Sequence, residues 1–260
     1  MNVTYASYLK VDELISLQHC LSDGPEHDEL LFITIHQVYE LWFQQLLHEG
    51  SKLVHLLGEN RLNQAQHTLK RMLKILKTMV NQVDILDTMT PLEFLSFRKF
   101  LSNSSGFQSY QFRELEYFLG KKDRRFMTQF KEEPEILAKL EKRLQAPSLW
   151  REFLGMLLQR GFAIPAEVIE APIDEPTKES VELQALLLDV YRHHSDLAGL
   201  CESLVDLDEG LQEWRYRHVK MVQRTIGSKS GTGGSAGAEY LKTTLFQPLF
   251  SDLWTIRSQF

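Results

Sequence analysis

The longest helical pattern in the chain is SDLAGLCESLVDLDEGLQEWRYRHVKMVQRTIG, residues 195–227. Its apolar positions recur at steps of three and four residues, as on one face of an α-helix. They are Leu197, Leu200, Leu204, Leu207, Leu211, Trp214, Met221 and Thr225. Ser195 is a predicted N-cap, and Gly227 offers a stop. We therefore predict a helix of about thirty residues, about 45 Å long, which is enough to cross a whole domain.

Other segments carry the same periodicity. Two long ones cover residues 31–47 and 62–86, and shorter ones cover about 107–119, 133–145, 148–160, 178–194 and 238–257. Thr90, Pro91 and Glu93 form a capping signature that predicts a short helix through Leu101.

Turn residues are sparse, and no segment reads as a strand. The 14 glycines and 8 prolines cluster instead of recurring every ten residues, as a β-sandwich or barrel requires. The prolines between residues 165 and 176 indicate a surface loop more readily than a domain boundary. The sequence predicts an all-α fold, a helical bundle in which residues 1–260 form a single domain.

Composition limits the classes of partner. The formal net charge is -6, and no basic stripe is present, so we expect no nucleic acid as a partner. No segment reaches the roughly 18 unbroken apolar residues of a membrane span, and the opening residues lack a signal-peptide pattern, so we expect a cytoplasmic protein without a membrane partner. Cys20 and Cys201 form no C-x-x-C pair, so other side chains must hold any metal.

Two histidines lie on apolar helix faces. His36 follows Phe32 by four residues, and His218 follows Trp214 by four, while Arg215 is expected to point away from that face. A single inward histidine is more often a satisfied core residue. Two inward histidines on separate helices favour a different interpretation, in which a neutral imidazole serves as an axial haem ligand. A di-iron bundle needs Glu-x-x-His motifs, and none of the nine histidines has a glutamate three residues before it.

Arg98 shares a helix face with Phe94, Phe97 and Leu101. A buried guanidinium needs an anionic partner because it does not lose its proton. Spacing leaves two interpretations open: a structural ion pair with an acid of the protein, or recognition of a ligand carboxylate.

The segment SKSGTGGSAG, residues 228–237, is rich in glycine. A phosphate-binding loop is excluded because no strand precedes it and no Gly-Lys-Ser/Thr closes it. Two interpretations remain. The segment is a linker, or residues 228–238 form a mobile loop that closes over a ligand and contacts it through Thr232.

Four stretches together resemble the haem-dependent tryptophan 2,3-dioxygenases. They are HDELLFITIHQVYELWFQQLLHE at 27–49, FRKFLSNSSGFQSYQFR at 97–113, WRYRHVKMVQRTIG at 214–227 and GTGGSAG at 231–237. The resemblance covers nearly the whole chain, and the stretches are long and specific.

The resemblance implies roles for individual residues. His218 corresponds to the proximal ligand of the iron in haem b, one haem per subunit, and His36 to the distal histidine that hydrogen-bonds the indole N–H. Arg98 and Thr232 match residues that contact the substrate carboxylate, and Thr232 also the ammonium group. The remaining matches are Phe32, Phe94 and Leu101 around the substrate, Ser105 and Gly106 on the distal side, and Tyr5, Tyr8 and Leu9, which enter from a neighbouring subunit.

The resemblance also implies an activity and an assembly. The expected reaction inserts both atoms of the co-substrate O2 across the indole C2–C3 bond of L-tryptophan to give N-formylkynurenine, the first step of tryptophan catabolism by the kynurenine pathway. The expected assembly is a homotetramer that exchanges its N-terminal segments, residues 1–22. Alternatives are a haem enzyme acting on another indole, a non-catalytic haem or indole sensor, and a helical interaction protein.

Overall fold

The computed structural model describes residues 2–231 and 237–260. Its α-helices are α1 (Tyr5–Leu9), α2 (Val11–Ile15), α3 (His27–Gly58), α4 (Leu62–Leu86), α5 (Pro91–Arg98), α6 (Tyr110–Leu119), α7 (Pro134–Leu144), α8 (Leu149–Gln159), α9 (Ala166–Ile169), α10 (Val181–His193), α11 (Ser195–Ile226), α12 (Ala238–Lys242) and α13 (Ser251–Thr255). Short 3-10 segments cover Lys99–Leu101, Gly106–Gln108, Arg124–Phe130 and Ile256–Gln259. No strand occurs in these residues, which confirms the all-α prediction.

Three long helices form the centre of the bundle. Helix α4 packs against both α3 and α11, which are each 32 residues long. Its side chains Leu69, Met72 and Met79 are 0–1% exposed, as the helical periodicity predicts. Helices α6 and α8 pack on α3, and α5 bridges α3 and α11. This arrangement places residues of α3, α5, α6 and α11 around one space.

The predicted helix starts differ in accuracy. The capping box at α5 is confirmed, since the Thr90 amide donates to Glu93 Oε2 at 2.7 Å and the Glu93 amide donates to Thr90 Oγ1 at 3.4 Å. The prediction of Ser195 as an N-cap is wrong by one residue: His194 is the N-cap of α11, and its side chain makes no capping hydrogen bond. Sequence patterns place helix ends only within a few residues.

The prediction of one helix over 238–257 is also wrong, because the chain breaks between α12 and α13. Phe246 has a φ of 57°, and Pro248 has no amide hydrogen to continue a helix. Fully buried Asp208 of α11 accepts hydrogen bonds from the amides of Leu249 and Phe250 and from Trp254 Nε1, at 2.7, 3.1 and 3.0 Å. This carboxylate holds the C-terminal segment against the long helix.

The proline-rich region between α8 and α10 contains the short helix α9. Arg151 of α8 donates to the carbonyls of Ala171 and Pro172, at 2.7 and 3.0 Å, and so holds the region against the bundle. Among residues 2–231 and 237–260, no helix is long and apolar enough to cross a membrane. The cytoplasmic location stays a prediction.

Candidate active site

A cavity of about 250 Å³ lies where α3, α5, α6, α11 and α12 meet. Its volume is many times what one water molecule needs, so it has room for an organic ligand. Many of the residues singled out in the sequence line it: Phe32, His36, Phe94, Arg98, Leu101, Ser105, Gly106 and His218.

His36 projects into this cavity from the N-terminal third of α3. Its Nδ1 lies 2.7 Å from the carbonyl oxygen of Phe32, one turn earlier, so we assign the hydrogen to Nδ1. Burial lowers the pKa of His36, which favours the neutral ring. In that tautomer, Nε2 is a hydrogen-bond acceptor. The site therefore offers an acceptor to an N–H group of a ligand.

His218 enters from α11 and stacks on Trp214, with ring centroids 5.3 Å apart and an interplanar angle of 3°. Burial lowers the pKa of His218 to about 4, and the nearby His36 contributes through charge repulsion. The ring is therefore neutral at physiological pH and has a lone pair for a metal. Stacking on a buried tryptophan restricts the orientation of the ring.

Two groups of aromatic side chains make the walls apolar. Phe32 lies 5.9 Å from Phe94, between ring centroids, and also contacts the His36 ring at 4.1 Å. Near His218, the Phe112 ring lies 5.1 Å from that of Trp214, and Phe43 packs on both. A flat aromatic ligand fits between such walls.

Arg98, at the end of α5, is half-buried and donates from Nη2 to the carbonyl oxygen of Ser230 at 2.6 Å. Within residues 2–231 and 237–260, no carboxylate lies within 4.0 Å of its guanidinium. Within the described part of the chain, Arg98 therefore forms no structural ion pair with an acid of the protein, which was the first of its two interpretations. The guanidinium retains donors for an anionic ligand.

Ser105 and Gly106 lie where the chain turns into α6. Ser105 Oγ accepts a hydrogen bond from the Phe107 amide at 3.3 Å and caps the 3-10 segment that follows. A Cβ at Gly106 would meet no protein atom within 4 Å, so the backbone borders open space here. A ligand can approach this backbone closely.

The two ends of the glycine-rich segment border the cavity at Gly231 and Gly237. Gly237 has a φ of 59°, and a Cβ there would lie 2.7 Å from the carbonyl oxygen of Lys229, so the position requires glycine. Thr232 lies outside the described residues, and its role stays a prediction.

The three N-terminal candidates do not line the cavity. Tyr5, Tyr8 and Leu9 lie on α1 and are 79, 75 and 44% exposed. Within the described chain, these side chains are therefore largely uncovered.

A set of buried charges at the cavity was not predicted from the sequence. Arg113 and Glu116 of α6 and Arg215 of α11 line it and are 5, 3 and 4% exposed. The expectation that Arg215 points away from the inward face is therefore wrong, because it pairs with Glu116 at 2.9 Å. The signal in the sequence is the group of three charged residues, Arg113, Glu114 and Glu116, among the aromatic and aliphatic residues of YQFRELEYFL, residues 110–119.

These features define a class of protein: an all-helical bundle that holds a flat organic ligand or prosthetic group between its helices, with two neutral imidazoles and an arginine facing it. The described residues contain no group of three or more His, Cys, Asp or Glu side chains that could hold a metal ion by themselves.

Comparison with known proteins identifies the family. The model of the tryptophan 2,3-dioxygenase family matches residues 1–159 and 177–260. The chain is 55% identical over 256 residues to a tryptophan 2,3-dioxygenase of Herpetosiphon aurantiacus, with 98% of each chain covered. It is 53% identical to that of Anaeromyxobacter sp. (strain K), covering 98% of this chain and 95% of the relative, and 42% identical to that of Bacillus anthracis, covering 99% and 93%. The chain belongs to the tryptophan 2,3-dioxygenase family.

Proposed function

We propose that the protein is a haem-dependent dioxygenase that inserts both atoms of O2 across the C2–C3 bond of L-tryptophan and produces N-formylkynurenine. Family membership supports the reaction, and one structural observation carries the assignment of residues. Neutral His36 and His218 project from separate helices into one apolar cavity that also contains Arg98, which has no carboxylate partner among the described residues.

The donor set of this cavity fits haem b. Haem would need one imidazole of the protein to hold its iron, and His218 would supply it. His218 is neutral, is held by Trp214 and lies in an apolar wall, as such a ligand requires. When bound, haem supplies the redox-active iron that makes O2 reactive toward the indole ring.

The other side chains orient the substrate. His36 Nε2 accepts the indole N–H, which fixes the rotation of the ring between Phe32 and Phe94. His36 is not required as a base, because the indole N–H is very weakly acidic and can keep its proton while the C2–C3 bond reacts. Leu101, Ser105 and Gly106 complete the wall around the reacting carbons and limit water.

Arg98 selects a free amino acid. Its planar guanidinium is suited to a carboxylate, which a simple indole lacks. Thr232, which lies outside the described residues, is proposed to contact the same carboxylate and the ammonium group. Together these contacts favour tryptophan over other indoles.

Aerobic turnover by the reduced protein tests this proposal. We expect the purified protein, reduced without O2 and then given tryptophan and isotopically labelled O2, to yield N-formylkynurenine that carries both labelled oxygen atoms. Absorbance spectra and mass spectrometry of the product check this. Bound haem without product identifies a sensor, and protein that binds no added haem overturns the assignment of the cavity.

We also propose that the active enzyme is a homotetramer in which α1 of one subunit completes the substrate pocket of a neighbour. The large exposure of Tyr5 and Tyr8 supports this, since apolar clusters that remain exposed on a subunit mark interaction sites. The segment continues with further exposed apolar residues: Leu14, Ile15, Leu17 and Leu21.

Deleting residues 1–10 should therefore weaken tryptophan binding by about tenfold or more while haem stays bound. Spectroscopic titration of the truncated protein with tryptophan measures this, together with its oligomeric state. Val181→Ser serves as a control, because Val181 is similarly exposed, at 76%, but is distant in sequence. Normal tryptophan affinity in the truncated protein would contradict the proposed role of α1.

A further inference from the structure

A cluster of buried charges borders the cavity beside α6 and α11. Glu116 Oε2 accepts from Arg113 Nη1 at 2.5 Å, and its Oε1 accepts from Arg215 Nη2 at 2.9 Å. The Lys121 ammonium lies 3.8 Å from the same carboxylate. Arg113, Glu116, Lys121 and Arg215 are named here the cationic cluster.

The cationic cluster carries more positive than negative charge. One carboxylate faces three cationic groups, and the side chains of Arg113 and Arg215 are only 6 and 4% exposed. Burial, followed by the positive charges of Arg215 and Arg113, lowers the pKa of Lys121. A buried surplus of this kind is costly unless an anion compensates it.

Neighbouring acids have other partners. Asp123 accepts hydrogen bonds from the amide, Nε and Nη2 of Arg125, at 2.7–3.2 Å, and Glu114 pairs with Lys139 and Arg143, each at 3.3 Å. Asp123 also acts on the charge of Lys121 from a longer distance. Among the described residues, Glu116 is the one carboxylate within 4.0 Å of the Arg113, Lys121 and Arg215 side chains.

One donor of the cationic cluster lacks an acceptor. Arg113 Nε is buried and has no hydrogen-bond partner among the described residues. The Arg113 guanidinium lies 3.9 Å from the centre of the Phe126 ring, which stabilises its charge but provides no oxygen atom. Because Arg113 and Arg215 both line the cavity, an oxygen of a cavity ligand is the acceptor that fits.

Arg98 and the cationic cluster line the same cavity from different helices, Arg98 from α5 and Arg113 and Arg215 from α6 and α11. Arg215 precedes His218 by three residues on α11, so the two residues are neighbours on the helix surface. Arg98 instead contacts Ser230 beside a shallow surface pocket that no residue of the cationic cluster lines. The cavity thus has two places for carboxylates, one of them next to the proposed iron ligand.

We propose that Arg113 and Arg215 bind the carboxylates of the prosthetic group, which are the two propionates of the haem. Two carboxylates would balance the surplus of the cationic cluster. This inference rests on the haem proposed above, and it assigns the propionates to the cationic cluster and the substrate carboxylate to Arg98.

Haem and haem dimethyl ester provide a direct test with the wild-type apoprotein. The ester has the same ring and iron but no carboxylate charge. We expect the apoprotein to bind haem at least about tenfold more tightly than the ester, measured by absorbance titration in the same solvent. Equal affinity overturns this inference alone, whereas failure to bind either compound overturns the proposed function.

Single variants localise the effect. Arg113→Met and Arg215→Met should each weaken haem binding about tenfold and leave ester binding nearly unchanged. The preference for haem over its dimethyl ester then becomes smaller. Arg143→Met is the matched control, because Arg143 pairs with Glu114 and does not line the cavity. It should keep the full preference. Circular dichroism monitors folding, and the wild-type comparison remains decisive if a variant does not fold.

Substrate carboxylate is the alternative ligand for the cationic cluster. With haem loaded, Arg215→Met should leave the preference for tryptophan over tryptamine unchanged in binding titrations. Loss of that preference would show that the cationic cluster binds the substrate and would overturn the inference.

Discussion

Replacing His218 by alanine should remove most of the haem from the purified protein and leave its helical content unchanged. The imidazole is the group proposed to hold the haem iron, whereas within the described residues its loss from α11 removes a stacking contact with Trp214 and no hydrogen bond. Absorbance spectra give the haem content per subunit, and circular dichroism gives the helix content. Full haem occupancy with an unchanged axial spectrum would contradict the assignment of His218.

His36→Ala is the matched comparison, since it removes an imidazole from the same cavity. It should retain haem and some turnover, with tryptophan bound less tightly because the indole N–H loses its acceptor. Equal loss of haem from both variants would contradict the separate roles proposed for His36 and His218.

Helical periodicity was sufficient to predict the centre of the bundle. Helices α3, α4 and α11 are long, and each buries one apolar stripe, so local sequence and tertiary packing agree. The C-terminal segment was mispredicted because its path depends on Asp208, a residue 41 positions away from Leu249 that accepts its amide hydrogen. A long-range hydrogen bond of this kind leaves no periodic signal.

The site was predictable to different degrees. His36, His218 and Arg98 stood out as polar residues on apolar helix faces, and the cavity brings all three together. Arg215 was missed because a charged residue beside an apolar stripe is normally solvated. Its burial depends on Glu116 of another helix, and the sequence spacing within α11 does not contain that information.

Arg98→Met should strongly reduce the binding and turnover of tryptophan. It should affect tryptamine far less, because tryptamine lacks the carboxylate. Arg98 is half-buried, so the expected loss of tryptophan binding free energy is near the lower end of the range for removing one partner of a charged pair. This is about 2 kcal/mol, or roughly 30-fold in affinity. Arg98→Lys should restore little of this, because a point charge replaces the planar fork. Affinities and turnover of both ligands measure the change in preference. Lys99→Met is the control, as Lys99 is an exposed neighbouring cation.

The result also decides between the two interpretations of Arg98. In the described chain its only hydrogen bond is to the carbonyl of Ser230, which a methionine cannot replace, so a small loss of stability is compatible with both. The preference for tryptophan over tryptamine distinguishes them, because a purely structural arginine has no contact with the substrate carboxylate. If Arg98→Met destabilises the fold and leaves that preference intact, Arg98 is structural, and selection of the free amino acid must come from another cation of the cavity.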